Sequence, residues 1–201
     1  MSASTPIILA SRSRARVQML QEAGYSFDIA PADIDEQKII DDELAKGTDF
    51  KKIALKLAEQ KALAVRNEDN KDAYIVGSDQ VLIFEDKILS KSENLEAAKE
   101  KLLMMQGKDH ELISAVCIKT PTMTFLSEDT ATLTMKYLSE AKVDEYLTRV
   151  AEDALQCVGG YAIEGAGRDL FDDVRGDIHT IMGMPLPKMI AFFDRQEGFI
   201  K

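Results

Sequence analysis

The stretch Ala73-Tyr74-Ile75-Val76-Gly77-Ser78-Asp79-Gln80-Val81-Leu82-Ile83-Phe84 carries the reading of this chain. It is rich in Val, Ile, Tyr and Phe, the composition of a strand. Its polar centre, Ser78-Asp79-Gln80, breaks an otherwise apolar run. A carboxylate inside such a strand is costly unless it is paired or hydrogen-bonded. Two readings follow. Asp79 is a general base or metal ligand, since displaced titratable groups gather at functional sites. Alternatively it lies on an edge strand and faces water.

Outward from this strand, helices and strands alternate. Residues 7–10 read as a short buried strand, and 14–23 as a helix ended by Gly24. Residues 27–30 form a weak strand. Asp49 caps a helix running to Arg66. After the Glu85-Asp86 turn, Ile88 and Leu89 return. Ser92 caps a helix that ends before Gly107. Residues 111–119 and 124–137 read as consecutive antiparallel strands, and Ser139 caps a helix to Arg149. Six of the eleven glycines fall between Gly159 and Gly183. Such a segment permits tight turns and close backbone approach to a ligand. A last helix begins near Pro185. The order implies an α/β protein with a mixed sheet flanked by helices.

The chain has 201 residues, which suits one compact domain or two small lobes sharing a core. Its 25 Lys and Arg against 35 Asp and Glu give a net charge of −10. That argues against duplex nucleic acid, whose binding needs a basic surface. A few local cations still suffice for a small anionic ligand. Arg12, Arg14 and Arg16 follow the first apolar run instead of preceding it, unlike a signal peptide. No apolar run is long enough to span a membrane. Cys117 and Cys157 make no disulfide framework and no zinc-ligand spacing. The expectation is a cytoplasmic protein with no membrane partner.

Two further features resist a reading from packing alone. Lys61 interrupts the apolar stripe of Ala54, Leu57, Ala58, Ala62 and Val65. Either it has a buried anionic partner or its stem is buried with the ammonium in water. Ser11-Arg12-Ser13-Arg14-Ala15-Arg16 places hydroxyls and guanidiniums at a strand-to-helix junction. Helix N-termini bind anions, and cations there oppose the dipole unless an anion such as phosphate joins them. The alternative is a Ser cap with solvated arginines. Neither a Walker A sequence nor GxGxxG occurs. His110 reads as structural, His179 as a turn residue, Met104-Met105 as core, and Asp172-Asp173 and Asp41-Asp42-Glu43 as solvated turn and loop.

Taken in order, these motifs resemble the Maf family of nucleoside triphosphate pyrophosphatases, from about Ile7 to Ile190. Ala10-Ser11-Arg12-Ser13 with Arg16 is similar to the family's opening Ala-Ser-x-Ser-Pro-Arg-Arg. Ala32-Asp33-Ile34-Asp35-Glu36 resembles its acidic motif, and Leu57-Ala58-Glu59-Gln60-Lys61-Ala62 its lysine helix. Gly77-Ser78-Asp79-Gln80 resembles the catalytic-aspartate strand. Lys91 corresponds to the lysine of Gly-Lys-Pro, and Gly107 to Glu111 resembles Ser-Gly-x-x-His. Gly176-Asp177 and Gly183-Met184-Pro185-Leu186 resemble the C-terminal signature. The chain departs from the pattern at Arg14-Ala15, where the family has Pro-Arg, and at Ser90 and Ser92 around Lys91.

The resemblance implies an elongated mixed sheet in two lobes with a central cleft, similar to the inosine triphosphate pyrophosphatase architecture, as one domain over residues 1–201. It implies hydrolysis between the α and β phosphates of a nucleoside triphosphate. Asp79 would activate water, and Glu36 would hold Mg²⁺ or Mn²⁺. Ser11, Ser13, Arg16, Lys61 and Lys91 would bind the triphosphate. Ala15, Gln80 and Glu164 would select the base. Gln80 and Glu164 are similar to the subgroup acting on 7-methyl-GTP, whereas the dTTP/UTP subgroup usually carries Thr and Gln there. Ala15 departs from the 7-methyl-GTP subgroup, which carries a bulkier residue at this position. A nucleotide-binding regulator of cell division with little turnover is the reading from a different class. A homodimer is expected from the family alone.

Overall fold

The structure is a computed structural model and describes residues 5–196. Its first strand, β1 (Ile7–Leu9), leads into α1 (Arg14–Glu22) and β2 (Asp28–Ile29), and β2 lies parallel to β1. Two helices follow, α2 (Glu36–Ala45) and α3 (Phe50–Val65). The chain then enters β3 (Tyr74–Phe84), which runs parallel to β1 and turns back antiparallel as β4 (Lys87–Leu89). Glu85 and Asp86 make that turn with φ of 47° and 58°. Positive φ at both central residues suits the twist of a two-residue hairpin. Next come α4 (Leu95–Met105), β5 (Asp109–Lys119), β6 (Thr124–Met135) and α5 (Glu140–Gln156). A 3-10 helix (Gly165–Leu170), β7 (Phe171–Arg175), α6 (Ile178–Met182) and α7 (Leu186–Phe193) complete the described chain. The sheet order is β2-β1-β3-β5-β6-β7, with β4 on β3. This is the mixed α/β sheet flanked by helices that the alternation of elements implies.

The chain divides into two compact units. The first holds residues 1–79, 114–129 and 183–201, and the second holds 80–113 and 130–182. The expected single domain over 1–201 extends past the described residues at both ends. β3, β5 and β6 each give residues to both units, and in β3 the division falls between Asp79 and Gln80. The first unit buries Leu9, Met19, Leu20, Ile53, Leu57, Ile75, Val76 and Phe193. In the second, Leu82, Leu102, Met105, Leu133, Val143, Tyr146 and Phe171 belong to one apolar cluster. Each such aliphatic or Phe side chain contributes about 1.5–3 kcal/mol relative to exposure.

Several local expectations change. Asp41-Asp42-Glu43 is not a loop but part of α2. Asp35 caps that helix by accepting from Lys38 N at 3.0 Å, and Gln37 donates to Asp41 across one turn at 2.8 Å. Asn94, not Ser92, caps α4, its side chain accepting from Ala97 N. The α5 helix keeps its Ser139 cap but runs on past Arg149 through a kink at Val150. Its buried stripe of Val143, Tyr146, Leu147 and Ala154 continues across that kink, so packing carries the helix beyond its first break. Asp172 and Asp173 are exposed, yet they lie on a strand instead of a turn. Met105 is core, whereas Met104 is exposed. Residue 179 lies in the short helix α6, where His179 N donates to Asp177 Oδ1 at 2.9 Å.

Candidate active site

In the first unit, Arg16, Glu36, Lys61 and Asp79 come together beyond the carboxyl end of β1. Ligands of parallel α/β sheets bind at such ends. β1 pairs with β3 only as far as Val76, and Ala10 N donates to Val76 O at 2.8 Å. Asp79 lies three residues further along β3. Side chains alternate across a strand, so Gly77 and Asp79 share a face. That face meets α3. A Cβ on Gly77 would stand 2.7 Å from Ala62 N and collide with the Ala58 carbonyl. Glycine thus lets α3 approach β3 closely enough for Lys61 to reach Asp79. β3 lies between β1 and β5, so the edge-strand reading of Asp79 does not hold.

Asp79 is only 5% exposed and Lys61 only 8%. The Lys61 ammonium donates to Asp79 Oδ1 and lies 2.8 Å from Glu36 Oε1. Snorkelling is therefore excluded, because the ammonium is held by two carboxylates. Glu36, the first residue of α2, is half exposed. Burial raises the Asp79 carboxyl above the usual carboxylate range, against the opposing pull of Lys61 and Arg16; Glu36 adds to the rise.

Arg16 is buried one turn into α1. Its Nε donates to Gly183 O at 2.9 Å and its Nη1 to Ser11 Oγ at 3.3 Å. Burial lowers its pKa, and the charges of Asp79 and Glu36 oppose that. Ser11 Oγ also accepts from Ser13 N at 3.2 Å. Ser13 occupies the cap position of α1, but its side chain makes no capping bond. Arg12 and Arg14 are exposed. The junction therefore directs one guanidinium inward and leaves its neighbours in water.

Ser78 and Gly183 had no role in the sequence reading beyond their place in motifs. Ser78 Oγ lies within donating reach of Ala115 O at 2.8 Å and Gly183 O at 3.1 Å. Gly183 has φ of +110°, where a side chain would be strained. The signal available in sequence was a glycine directly before Met184-Pro185.

The remaining candidates belong to the second unit. Gln80 Nε2 donates to Thr180 O at 2.9 Å and Ile181 O at 3.0 Å, tying β3 to α6. Lys91 and Glu164 are exposed. Both act on the Cys157 thiol, which burial pushes up to about 11, with Lys91 lowering it and Asp153 and Glu164 raising it. Ala15 is partly buried on α1, in the first unit. His110 is buried, as expected of a structural histidine. Its Nε2 lies 2.6 Å from Tyr161 OH, and burial pushes its pKa down to about 4. A groove of about 430 Å³, lined by Met123, Phe125, Lys188 and Phe192 among others, contains none of the candidate residues.

Glu36 and Asp79 bring oxygens toward one point, the Lys61 ammonium. Among the described residues, no group of three or more His, Cys, Asp or Glu could cage a metal. Two carboxylates fit Mg²⁺ or Mn²⁺ in another mode, in which water and substrate phosphates complete the shell. Among the described residues, no helix is long and apolar enough to cross a membrane.

The sequence profile described as Maf-like protein matches residues 6–196. The chain is 37% identical over 195 residues to a nucleoside triphosphate pyrophosphatase of Rhodopseudomonas palustris (strain BisB18), covering 96% of this chain and 95% of that protein. It is 38% identical over 192 residues to a 7-methyl-GTP pyrophosphatase of Brucella suis biovar 1 (strain 1330), covering 95% and 96%. A nucleoside triphosphate pyrophosphatase of Pelagibacter ubique (strain HTCC1062) is 37% identical over 184 residues, covering 91% and 94%. With this coverage and the charged cluster at the end of β1, the chain belongs to the Maf family.

Proposed function

We propose that this nucleoside triphosphate pyrophosphatase acts on 7-methyl-GTP, releasing the monophosphate and pyrophosphate. The observation that carries the reading is the buried Asp79 carboxylate beside Lys61, Glu36 and Arg16. Asp79 takes a proton from water as the water oxygen attacks the α phosphorus. The bond from that phosphorus to the bridging oxygen breaks, and pyrophosphate leaves with the electron pair. Arg16, Lys61 and Lys91 offset the charge on the triphosphate. Ser11 and Ser13, with the N–H groups at the start of α1, bind a phosphate. Glu36 and Asp79 would hold a divalent cation, which supplies Lewis-acid stabilisation to the phosphates when bound.

The base assignment rests on charge and hydrogen-bond polarity. N7-methylguanine is cationic and presents N1–H and N2–H donors. The Glu164 carboxylate accepts from such donors and offsets the positive charge. Gln80 is anchored to α6 through its Nε2, which fixes where its side chain sits. The Brucella relatives named for 7-methyl-GTP support this choice.

The test is pyrophosphate release with Mg²⁺ or Mn²⁺ across 7-methyl-GTP, GTP, dTTP, UTP, CTP and ITP. Preference for 7-methyl-GTP is expected. Preference for dTTP or UTP discards the base assignment but keeps the reaction. Thermal stabilisation by a nucleotide without turnover would assign the protein to regulatory binding instead.

A further inference from the structure

The two buried cations of the site are held differently. The Arg16 guanidinium is fixed by the Gly183 carbonyl and the Ser11 hydroxyl, neither of them a carboxylate. Lys61 has only Asp79 and Glu36 as partners among the described residues. Its ammonium stands at the point on which both carboxylates converge. A divalent cation held by the same two carboxylates would need that point, since its oxygen distances are about 2.0–2.1 Å for Mg²⁺. One point between two carboxylates cannot hold an ammonium and a dication together, because like charges repel strongly at that separation. Lysine is suited to leave, being a compact charge on a flexible four-carbon stem.

We infer that Lys61 is a displaceable internal counter-ion: it neutralises Glu36 and Asp79 in the metal-free protein and turns out of their shared position when a divalent cation enters. The inference rests on the reading of Glu36 and Asp79 as the cation-holding pair. It adds an exchange to that reading. With the cation bound, Lys61 is released from Asp79 and its charge becomes available to the substrate phosphates. Arg16 stays in place throughout, because its bonds run to the backbone and a hydroxyl. One consequence is that free protein resists divalent cations, and phosphates that attract the released ammonium favour their entry.

The experiment measures Mn²⁺ binding by calorimetry on the full chain without nucleotide, for wild type, Lys61→Met and Lys61→Arg. The Met variant keeps most of the stem and removes the competing charge. It is expected to bind Mn²⁺ at least tenfold more tightly than wild type, and the Arg variant no more tightly. Equal or weaker binding by Lys61→Met overturns the exchange while leaving the cation pair intact. Absence of Mn²⁺ binding in all three proteins overturns both the pair and the exchange. A second measurement needs no change at position 61 in the protein observed. Wild type labelled with ¹³C at the lysine ε carbons is titrated with Mg²⁺, the Lys61 signal being assigned by its loss in Lys61→Arg. A shift of that signal on saturation supports displacement. A Lys61 signal unchanged at Mg²⁺ concentrations that calorimetry with Mg²⁺ shows to saturate wild type overturns it.

Discussion

The Arg16 Nε donates to the Gly183 carbonyl at 2.9 Å, joining the first turn of α1 to a residue 167 positions away in the chain. The same carbonyl is within reach of Ser78 Oγ at 3.1 Å, next to Asp79. One glycine oxygen thus relates the opening helix, the aspartate strand and the entry to α7. Arg16→Lys removes the planar fork and cannot serve both Gly183 and Ser11. Loss of a hydrogen bond to a charged group costs about 1.5–3 kcal/mol. Urea titration is expected to show a loss of that order, with kcat/KM for 7-methyl-GTP down at least about tenfold by the same conversion. Wild-type stability and kcat/KM in Arg16→Lys would contradict the bridging role.

Asp79→Asn keeps the shape of the side chain and removes its basicity. Loss of a general base lowers the rate by about 10²–10⁴. The expected signature is a fall in kcat with a smaller change in KM, read by pyrophosphate release at saturating nucleotide. A wild-type kcat would remove Asp79 from the role of base.

Gly77→Ala places a Cβ against the backbone of α3, at Ala58 O and Ala62 N. Neither is the tip of a flexible side chain, so the helix itself must move. Overpacking of this kind costs about 1–3 kcal/mol. Stability should fall by that amount, and activity with it, because the shift separates Lys61 from Asp79. Crystallography of the variant should find their contact lengthened. An unchanged urea midpoint would show that the backbone yields freely here.

His110 gives the protein a defined acid sensitivity. Burial pushes its pKa down to about 4 from the ordinary 6.5, with Asp109 opposing. The unfolded chain takes up a proton near pH 6.5, and the folded one only near pH 4. Stability is therefore full above pH 6.5 and declines as pH falls toward 4. By linkage the loss is about 3 kcal/mol across that window. Thermal unfolding from pH 7 to 4 should show a steeper fall for wild type than for His110→Phe. Equal slopes would mean that His110 titrates normally in the folded protein.

Glu164→Gln keeps an acceptor but removes the charge. Turnover of 7-methyl-GTP should fall about 10- to 100-fold, in proportion to the 1.5–3 kcal/mol of a hydrogen bond involving a charged group. GTP presents the same N1–H and N2–H donors without the positive charge, so its turnover should fall by less and selectivity should drop. Unaltered selectivity would place base recognition elsewhere.

Much of the fold was legible because local chemistry and long-range packing agree. The apolar runs of β1, β3, β5 and β6 read as strands, and Asp49 and Ser139 read as caps that the structure retains. The helix α2 was missed because its apolar face is small: Ile40 is its only buried residue, and the acidic run masks the period. The Gly-dense segment concealed a 3-10 helix, β7 and α6, all short and stabilised by partners distant in sequence.

The sequence alone determined the inventory of the site: an aspartate in an apolar strand, a lysine in an apolar stripe, and arginines at a helix start. Each is anomalous where it stands, since burying an unpaired charge is unfavourable. Only the tertiary structure decided which anomalies answer one another. Lys61 and Asp79 are 18 residues apart, and they meet because Gly77 admits α3 against β3. Arg16 is held by Ser11 of its own motif and by Gly183, 167 residues away, which no local signal announced. Pairing of buried charges is set by three-dimensional distance, which local periodicity does not encode, and by the low-dielectric surroundings that make each pairing necessary.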